Sequence, residues 1–390
     1  MSLRKLASRR ATHRRAVIGL TAVCSAALAL SACGSSGSSG SSNAGASDNQ
    51  ASSASGGQSG VDIAAAKKEG SVLIYTGSGL DQVRSWGAAF TKKYGIKVNV
   101  VDKGTYPVWT QWQQEYRAGK PTADLFYLSD SSLLTKAITD KQLMKFTPSS
   151  SGDYPAKYTS PGYFYPLQEN PLAIGWNSSK VSASDIASIK KEGYNALVNP
   201  KWKGVTSVVT PASGGSDYTW WYYLMEGGKD KYGTDFIKKL AALNPKVYTS
   251  SFPGYDGLAA GDYYIIGDAS TTGLSTEYAK GAPVQWMYPD PTPVFTVASA
   301  IAVNAPHPNA AKLFQEWATS VPGEEAWYSG SAVSDAIPMN SKAKDLSKFT
   351  KESWYKAPTN LYNPLVSDLK NYTAKQNDLI SSWQSIMGGQ

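Results

Sequence analysis

Short β-rich runs alternate with amphipathic helical stretches from residue 61 to residue 140, and this alternation limits the fold more than any other feature of the chain. Val61 to Gly70 reads as a short helix closed by its terminal glycine, and Ser71 to Tyr75 (SVLIY) reads as a buried strand. Gly77-Ser78-Gly79 turns the chain into a helix whose apolar face carries Val83, Trp86, Phe90 and Tyr94. Lys97 to Val101 is the next strand, and Ala123 to Leu128 (ADLFYL) the third, ending in Ser129-Asp130-Ser131-Ser132 before another apolar helix. Strand, helix, strand, helix predicts an α/β protein with a parallel sheet covered on both faces, whose ligands collect at the carboxyl ends of the strands.

A second series follows Pro171-Leu172-Ala173-Ile174-Gly175-Trp176-Asn177. Its expected strands are Val205 to Val209, Tyr263 to Gly267 and Val284 to Tyr288, with helices around Tyr218 to Met225 and Phe236 to Leu243. Pro293 to Asn304 is a long extended segment leading to a helix opened by Pro306-His307-Pro308-Asn309. Two sheets joined by more than one crossing of the chain make a hinged pair of lobes with a cleft between them.

The N-terminus has a different character. Arg4, Lys5, Arg9, Arg10, Arg14 and Arg15 precede an apolar run, Ala16 to Ala32, which ends in Leu30-Ser31-Ala32-Cys33. A basic, then apolar, then small-residue order is that of an export signal. The closing tetrad resembles the lipobox of bacterial lipoprotein precursors, which implies a signal peptide over 1–32 and lipidation of Cys33, with palmitate among its acyl chains. Residues 33–60 then form a lipidated cysteine and a Gly/Ser linker that cannot bury a core. Export by the general or the twin-arginine route stays open.

Removing the signal reshapes the composition. The chain holds 38 basic and 30 acidic residues, and loss of the six basic residues just named leaves 32 against 30. Near-neutrality predicts no nucleic-acid partner. Cys24 leaves with the signal and Cys33 is taken by lipid, so no thiol remains for a disulfide, a zinc site or catalysis. His13 also leaves, and His307 alone cannot serve chemistry that needs two imidazoles. A secreted serine hydrolase, the alternative from another class, needs a G-x-S-x-G elbow, which the chain lacks, and a histidine base, where His307 stands in a proline-rich turn. The paired carboxylates of a glycosidase stay open, since their separation is a property of the folded chain.

Several stretches together resemble a known family: AAAKKEGSVLIYTGSG (64–79), ADLFYLSD (123–130), NPLAIGWN (170–177), NPKWKGVTSVVTPASGGS (199–216), LAAGDYYIIGD (258–268) and NAPHPNAAKLFQEWATSVPGEEAW (304–327). In this order they are similar to the extracellular solute-binding proteins of family 1, in the branch of the ferric-iron, thiamine and aminoethylphosphonate binding proteins. The resemblance implies a type II periplasmic-binding-protein fold of two hinged lobes with a ligand cleft. It further implies a monomer, lipid-anchored at the extracellular face of the membrane, that delivers its solute to an ABC permease and its ATPase, is not itself an enzyme and carries no cofactor. The expected division is a first lobe over 61–169 and 293–335, a second over 170–292, and a helical segment over 336–390 packed on them.

Candidate contacts follow from both readings. Ser213, Gly214, Gly215 and Ser216 join a strand to a helix N-terminus, where free N–H groups and the helix dipole hold an oxyanion. Ser78 and Gly79, and Ser129, Asp130 and Ser131, repeat this logic in the first lobe. Asp268, Ser270 and Thr271 occupy the place after YYIIG where the family contacts its solute, Asp268 suiting a cationic group. Trp220 is the aromatic candidate of the segment Trp220-Trp221-Tyr222-Tyr223, whose side chains cannot all face one way on a helix. These residues predict a small oxyanion-bearing or zwitterionic solute. Ferric ion is the alternative, resting on Tyr263 and Tyr264, although that pair stands at the start of its strand and strand alternation separates its side chains.

Overall fold

The computed structural model describes residues 60–160, 162–329, 335–343 and 351–388. The expected signal peptide over 1–32, Cys33 and the expected linker up to residue 59 lie outside the described residues.

Helix α1 (Ile63–Glu69) is capped by Asp62, whose carboxylate accepts from Ala65 N, and stops at Gly70, left-handed at φ 75°. Strand β1 (Ser71–Thr76) leads through Gly79 into α2 (Leu80–Tyr94), β2 (Lys97–Asp102) into α3 (Thr105–Arg117), and β3 (Leu125–Leu128) into α4 (Ser131–Thr139). The apolar face read for α2 is buried: Val83, Trp86 and Phe90 are inside. Next comes β4 (Phe164–Asn177), buried along its whole length. Then follow α5 (Ala183–Glu192), β5 (Thr206–Val209), α6 (Gly215–Tyr222), α7 (Gly233–Ala242), β6 (Lys246–Tyr248) and α8 (Phe252–Ala260). The middle of the chain closes with β7 (Ile265–Ser270), α9 (Thr271–Ala279), β8 (Val284–Met287) and β9 (Thr292–Ile301). The remainder is α10 (Pro308–Ala318), α11 (Val321–Ser329), the short strands β10 (Ile337–Pro338) and β11 (Leu361–Tyr362), and α12 (Pro364–Ser367), α13 (Leu369–Ala374) and α14 (Gln376–Met387).

β4 belongs to two sheets. Its first half, Phe164 to Pro171, runs antiparallel to β9, which pairs with β3, and β1 and β2 complete that sheet in the order β2-β1-β3-β9-β4. Its second half, Leu172 to Asn177, pairs on one side with β7 and on the other with β8, and the sheet continues through β5 to β6. The two sheets are the centres of two lobes, and β4 carries the chain from one to the other. The parallel sheet expected from the alternation holds for β1, β2 and β3 and for β5, β6 and β7, but β9 runs antiparallel to β3 in the first sheet and β4 antiparallel to β7 in the second. A mixed sheet results because the crossing strands come back from the opposite direction without a helix between them.

Aromatic rings fill the core. Trp86 donates its indole N–H to Gly323 O at 2.8 Å, tying α2 to the start of α11, and its ring meets Tyr127, Phe314, Trp317 and Trp327. In the other lobe Tyr218 donates to Tyr372 O at 2.6 Å and Tyr222 to Asp368 Oδ2 at 2.6 Å, so α13 is held against α6. The same helix, α6, faces the space between the lobes.

Candidate functional site

The strand-to-helix loops of both lobes meet across one cleft. The first lobe contributes Gly77 and Ser78 after β1, Asp102 to Thr105 after β2, and Ser129 after β3. Facing them are Ser213, Gly214, Ser216 and Asp217 around the start of α6, Thr249 to Phe252 leading into α8, and Ser270, Thr272 and Gly273 at the β7–α9 junction. An inner chamber of about 50 Å³ is floored by Gln168 and Asn170 of β4, Phe295 and Val297 of β9, and Trp327 of α11. The outer chamber, of about 400 Å³, shares Gly77, Ser129, Ser216, Ser251 and Phe252 with it, so the two are one continuous cleft. A small solute fits the outer chamber.

Ser78 Oγ and Ser129 Oγ lie 3.1 Å apart, linking the first and third loops of their lobe. Opposite them the first N–H groups of α6 have no acceptor within their own helix. Beside these N–H groups stands a carboxylate: Asp217 accepts from Ser213 Oγ, from Ser251 Oγ at 3.0 Å and from Ser216 Oγ at 3.4 Å. Burial pushes Asp217 up to about 6 despite these hydroxyl donors. Asp268 lies behind it, pushed up to about 7 by burial first and by the charge of Asp217 second.

Ser78, Ser129, Ser213, Gly214, Ser216 and Ser270 line the cleft, as the loop reading expects. Gly79, Asp130, Ser131, Gly215, Trp220, Asp268 and Thr271 do not, each for a local reason. Gly79 caps α2 beneath the Phe252 ring, which a Cβ there would meet at 3.1 Å. Asp130 caps α4 and accepts from Ser132 N at 2.9 Å and Tyr106 Oη at 2.8 Å, with Ser131 in the same first turn. Gly215 abuts Ser129. Trp220 is packed under β7, its ring against Gly267. Asp268 turns back into its sheet and accepts from Val209 N at 2.8 Å, while Thr271 is buried at the start of α9. Tyr263 and Tyr264 also lie off the cleft: Tyr263 Oη shares a 2.7 Å hydrogen bond with Tyr248 Oη, and the Lys180 ammonium lies 5.8 Å from the Tyr264 ring centre. His307 opens α10 with Nδ1 2.9 Å from Asp124 Oδ2. Among the described residues no group of three or more His, Cys, Asp and Glu side chains stands together.

Asp217, Asn170 and Trp327 line the cleft without having been singled out by the sequence reading. An acid in the first turn of a helix reads as a dipole partner, which masks Asp217. Asn170 had one visible signal, an amide next to the apolar run Pro171 to Trp176.

Two lobes around a cleft lined by strand ends define a solute-capturing protein rather than a protein with one fixed core. Residues 76–325 match the bacterial extracellular solute-binding protein family, and the chain belongs to it. It is 22% identical over 275 residues to an uncharacterised protein of Haemophilus influenzae, covering 69% of this chain and 78% of that one. It is 22% identical over 283 residues to the Fe(3+)-binding periplasmic protein of Serratia marcescens, covering 70% and 80%. The periplasmic binding protein AfuA from Actinobacillus pleuropneumoniae, solved with fructose-6-phosphate bound, superposes with a TM-score of 0.66 at 20% identity, over 81% of this chain and 98% of that one. The structural likeness establishes the two-lobe periplasmic-binding-protein fold.

Proposed function

We propose that this chain is the solute receptor of an ABC importer, lipid-anchored through Cys33 at the extracellular face of the membrane. It captures a small oxyanion-bearing or zwitterionic solute and hands it to a permease. The observation that carries the reading is the convergence of hydroxyl-rich and glycine-rich loops from both lobes on one cleft, with Ser78 and Ser129 on one wall and Ser213, Gly214, Ser216 and Ser270 on the other. A group held from both sides favours the closed arrangement of the lobes, which is the signal a permease needs to read. Binding without turnover is the expected activity, and a monomer the expected state.

Ferric ion is the second reading, favoured by the Fe(3+)-binding relative of Serratia marcescens. Against it stand the partners of Tyr263 and Tyr264, which point that pair to Tyr248 and Lys180. Thermal melting of the purified full chain with small anions, zwitterions, sugars and ferric citrate, alongside chromogenic hydrolase substrates, tests both readings. Stabilisation by an organic solute without turnover supports the receptor; stabilisation by ferric citrate alone, abolished by Tyr263→Phe, replaces it with iron uptake; turnover of a substrate refutes both.

A further inference from the structure

Two buried N–H donors on the floor of the inner chamber have no protein partner. Asn170 is 2% exposed and Trp327 3% exposed, and neither Asn170 Nδ2 nor Trp327 Nε1 has an acceptor among the described residues. A buried donor left without an acceptor is destabilising, because its lost hydration is not made good. Both residues line the same chamber, on β4 and α11.

The side chains of the upper wall have the opposite polarity, beside the free N–H groups at the start of α6 and across the outer chamber from Lys103. A serine hydroxyl has one proton to donate, and Ser213, Ser216 and Ser251 all direct theirs to Asp217. With that proton committed, each oxygen offers the cleft lone pairs only. Asp217 thus turns hydroxyls that the sequence reads as oxyanion donors into acceptors, and adds a buried negative charge beside them. A dianion placed there meets like charge in a poorly screened site.

We propose that the cleft is polarised, taking a hydrogen-bond-accepting oxygen of the solute on Asn170 and Trp327 and hydroxyl or ammonium donors on the Asp217–serine wall. This rests on the receptor reading but departs from its oxyanion-bearing solute class: the solute is an uncharged polyol or a zwitterion whose ammonium faces Asp217, and phosphate esters are rejected.

The test passes a small-molecule extract of bacterial growth medium over the immobilised full chain, identifies the retained compound by mass spectrometry, and measures its affinity by calorimetry at about pH 7.5, where Asp217 is ionised. D-glucosamine, D-fructose, fructose 6-phosphate and ferric citrate serve as defined probes. The expected retained compound is a polyol or zwitterion. Trp327→Phe, which keeps an aromatic ring, though a smaller one, and removes the N–H, and Asn170→Ala each weaken it about tenfold, the size of one buried hydrogen bond. Asp217→Asn weakens it about as much and raises the affinity for fructose 6-phosphate; Ser251→Ala, a milder change, moves both in the same directions. Retention of a ferric complex overturns the polarised cleft and favours iron uptake; retention of a phosphate ester overturns the polarised cleft and leaves the receptor standing. A polyol whose affinity none of the four variants changes does the same. Retention of nothing, with no response to any probe, overturns the receptor reading together with it.

Discussion

Gly215 of the second lobe lies so close to Ser129 of the first that a Cβ added to it would stand 2.7 Å from the Ser129 Cβ. Next to it, a Cβ on Gly214 would stand 2.5 Å from the ring of Tyr106. Both glycines have positive φ, +57° and +82°, so the turn into α6 is built for this approach in backbone conformation as well as in size. Gly215→Ala is therefore expected to hold the lobes apart. Small-angle scattering at saturating solute should give a larger radius for the variant than for the parent, and Ser129→Gly in the same chain should restore part of the closure. Equal radii for parent and Gly215→Ala would show that this contact does not limit closure.

The buried carboxylates set a pH dependence of stability. Asp217 is raised to about 6 and Asp268 to about 7, both chiefly by burial. An acid whose folded-state pKa exceeds its unfolded value binds more protons when folded, so its stabilising contribution is present below about pH 4 and is lost as pH rises through the folded values. The folded state should weaken between about pH 5 and about pH 8, by an amount on the order of 2–4 kcal/mol if Asp268 acts alone. Glu324, raised to about 8 by burial, adds to the same trend. Asp268→Asn keeps an oxygen for Val209 N and removes one titration. Urea unfolding at both pH values should show a smaller decline for this variant than for the parent; parallel declines would refute the assignment.

Trp86 links stability to the cleft floor. It is 1% exposed, donates to Gly323 O, and lies with its ring centre 5.4 Å from that of Trp327, which floors the inner chamber. Trp86→Phe leaves the Gly323 carbonyl without its donor and opens space beside four rings. A loss of about 2–4 kcal/mol is expected, read as a lower urea midpoint at unchanged slope. A shift below about 0.5 kcal/mol would mean that the core recloses around the smaller ring.

The first sheet was legible because its strands follow a simple rule. Ser71–Thr76, Lys97–Asp102 and Leu125–Leu128 are apolar runs bounded by turn residues, within a residue or two of the expected limits. β4 was not, because Pro166, Gln168, Glu169, Asn170 and Pro171 interrupt it and its burial on both faces erases alternation. β7 was read two residues early: Tyr263 and Tyr264 have the side chains of a strand, yet pairing of Leu172 with Ser270 and Ala173 with Ala269 carries the strand on to Ser270. In the site, glycine and serine loops announce themselves by composition. Asp217, Asn170 and Trp327 do not, since their meaning comes from what stands beside them after folding.

Cys33 is the remaining expectation, and it rests on Leu30-Ser31-Ala32-Cys33 followed by a stretch of Gly, Ser, Ala, Asn and Gln. One acyl chain gives only marginal membrane binding and two give stable anchoring, so loss of the acylated thiol should be decisive rather than gradual. Cys33→Ser is expected to abolish acylation while leaving the fold of residues 61 onward unchanged, because none of the described core lies near the anchor in sequence. Fractionation of cells should find the parent with the membrane, and incorporation of labelled palmitate should be lost in the variant. Continued membrane retention of Cys33→Ser with an uncleaved N-terminus would instead identify residues 16–32 as the anchor.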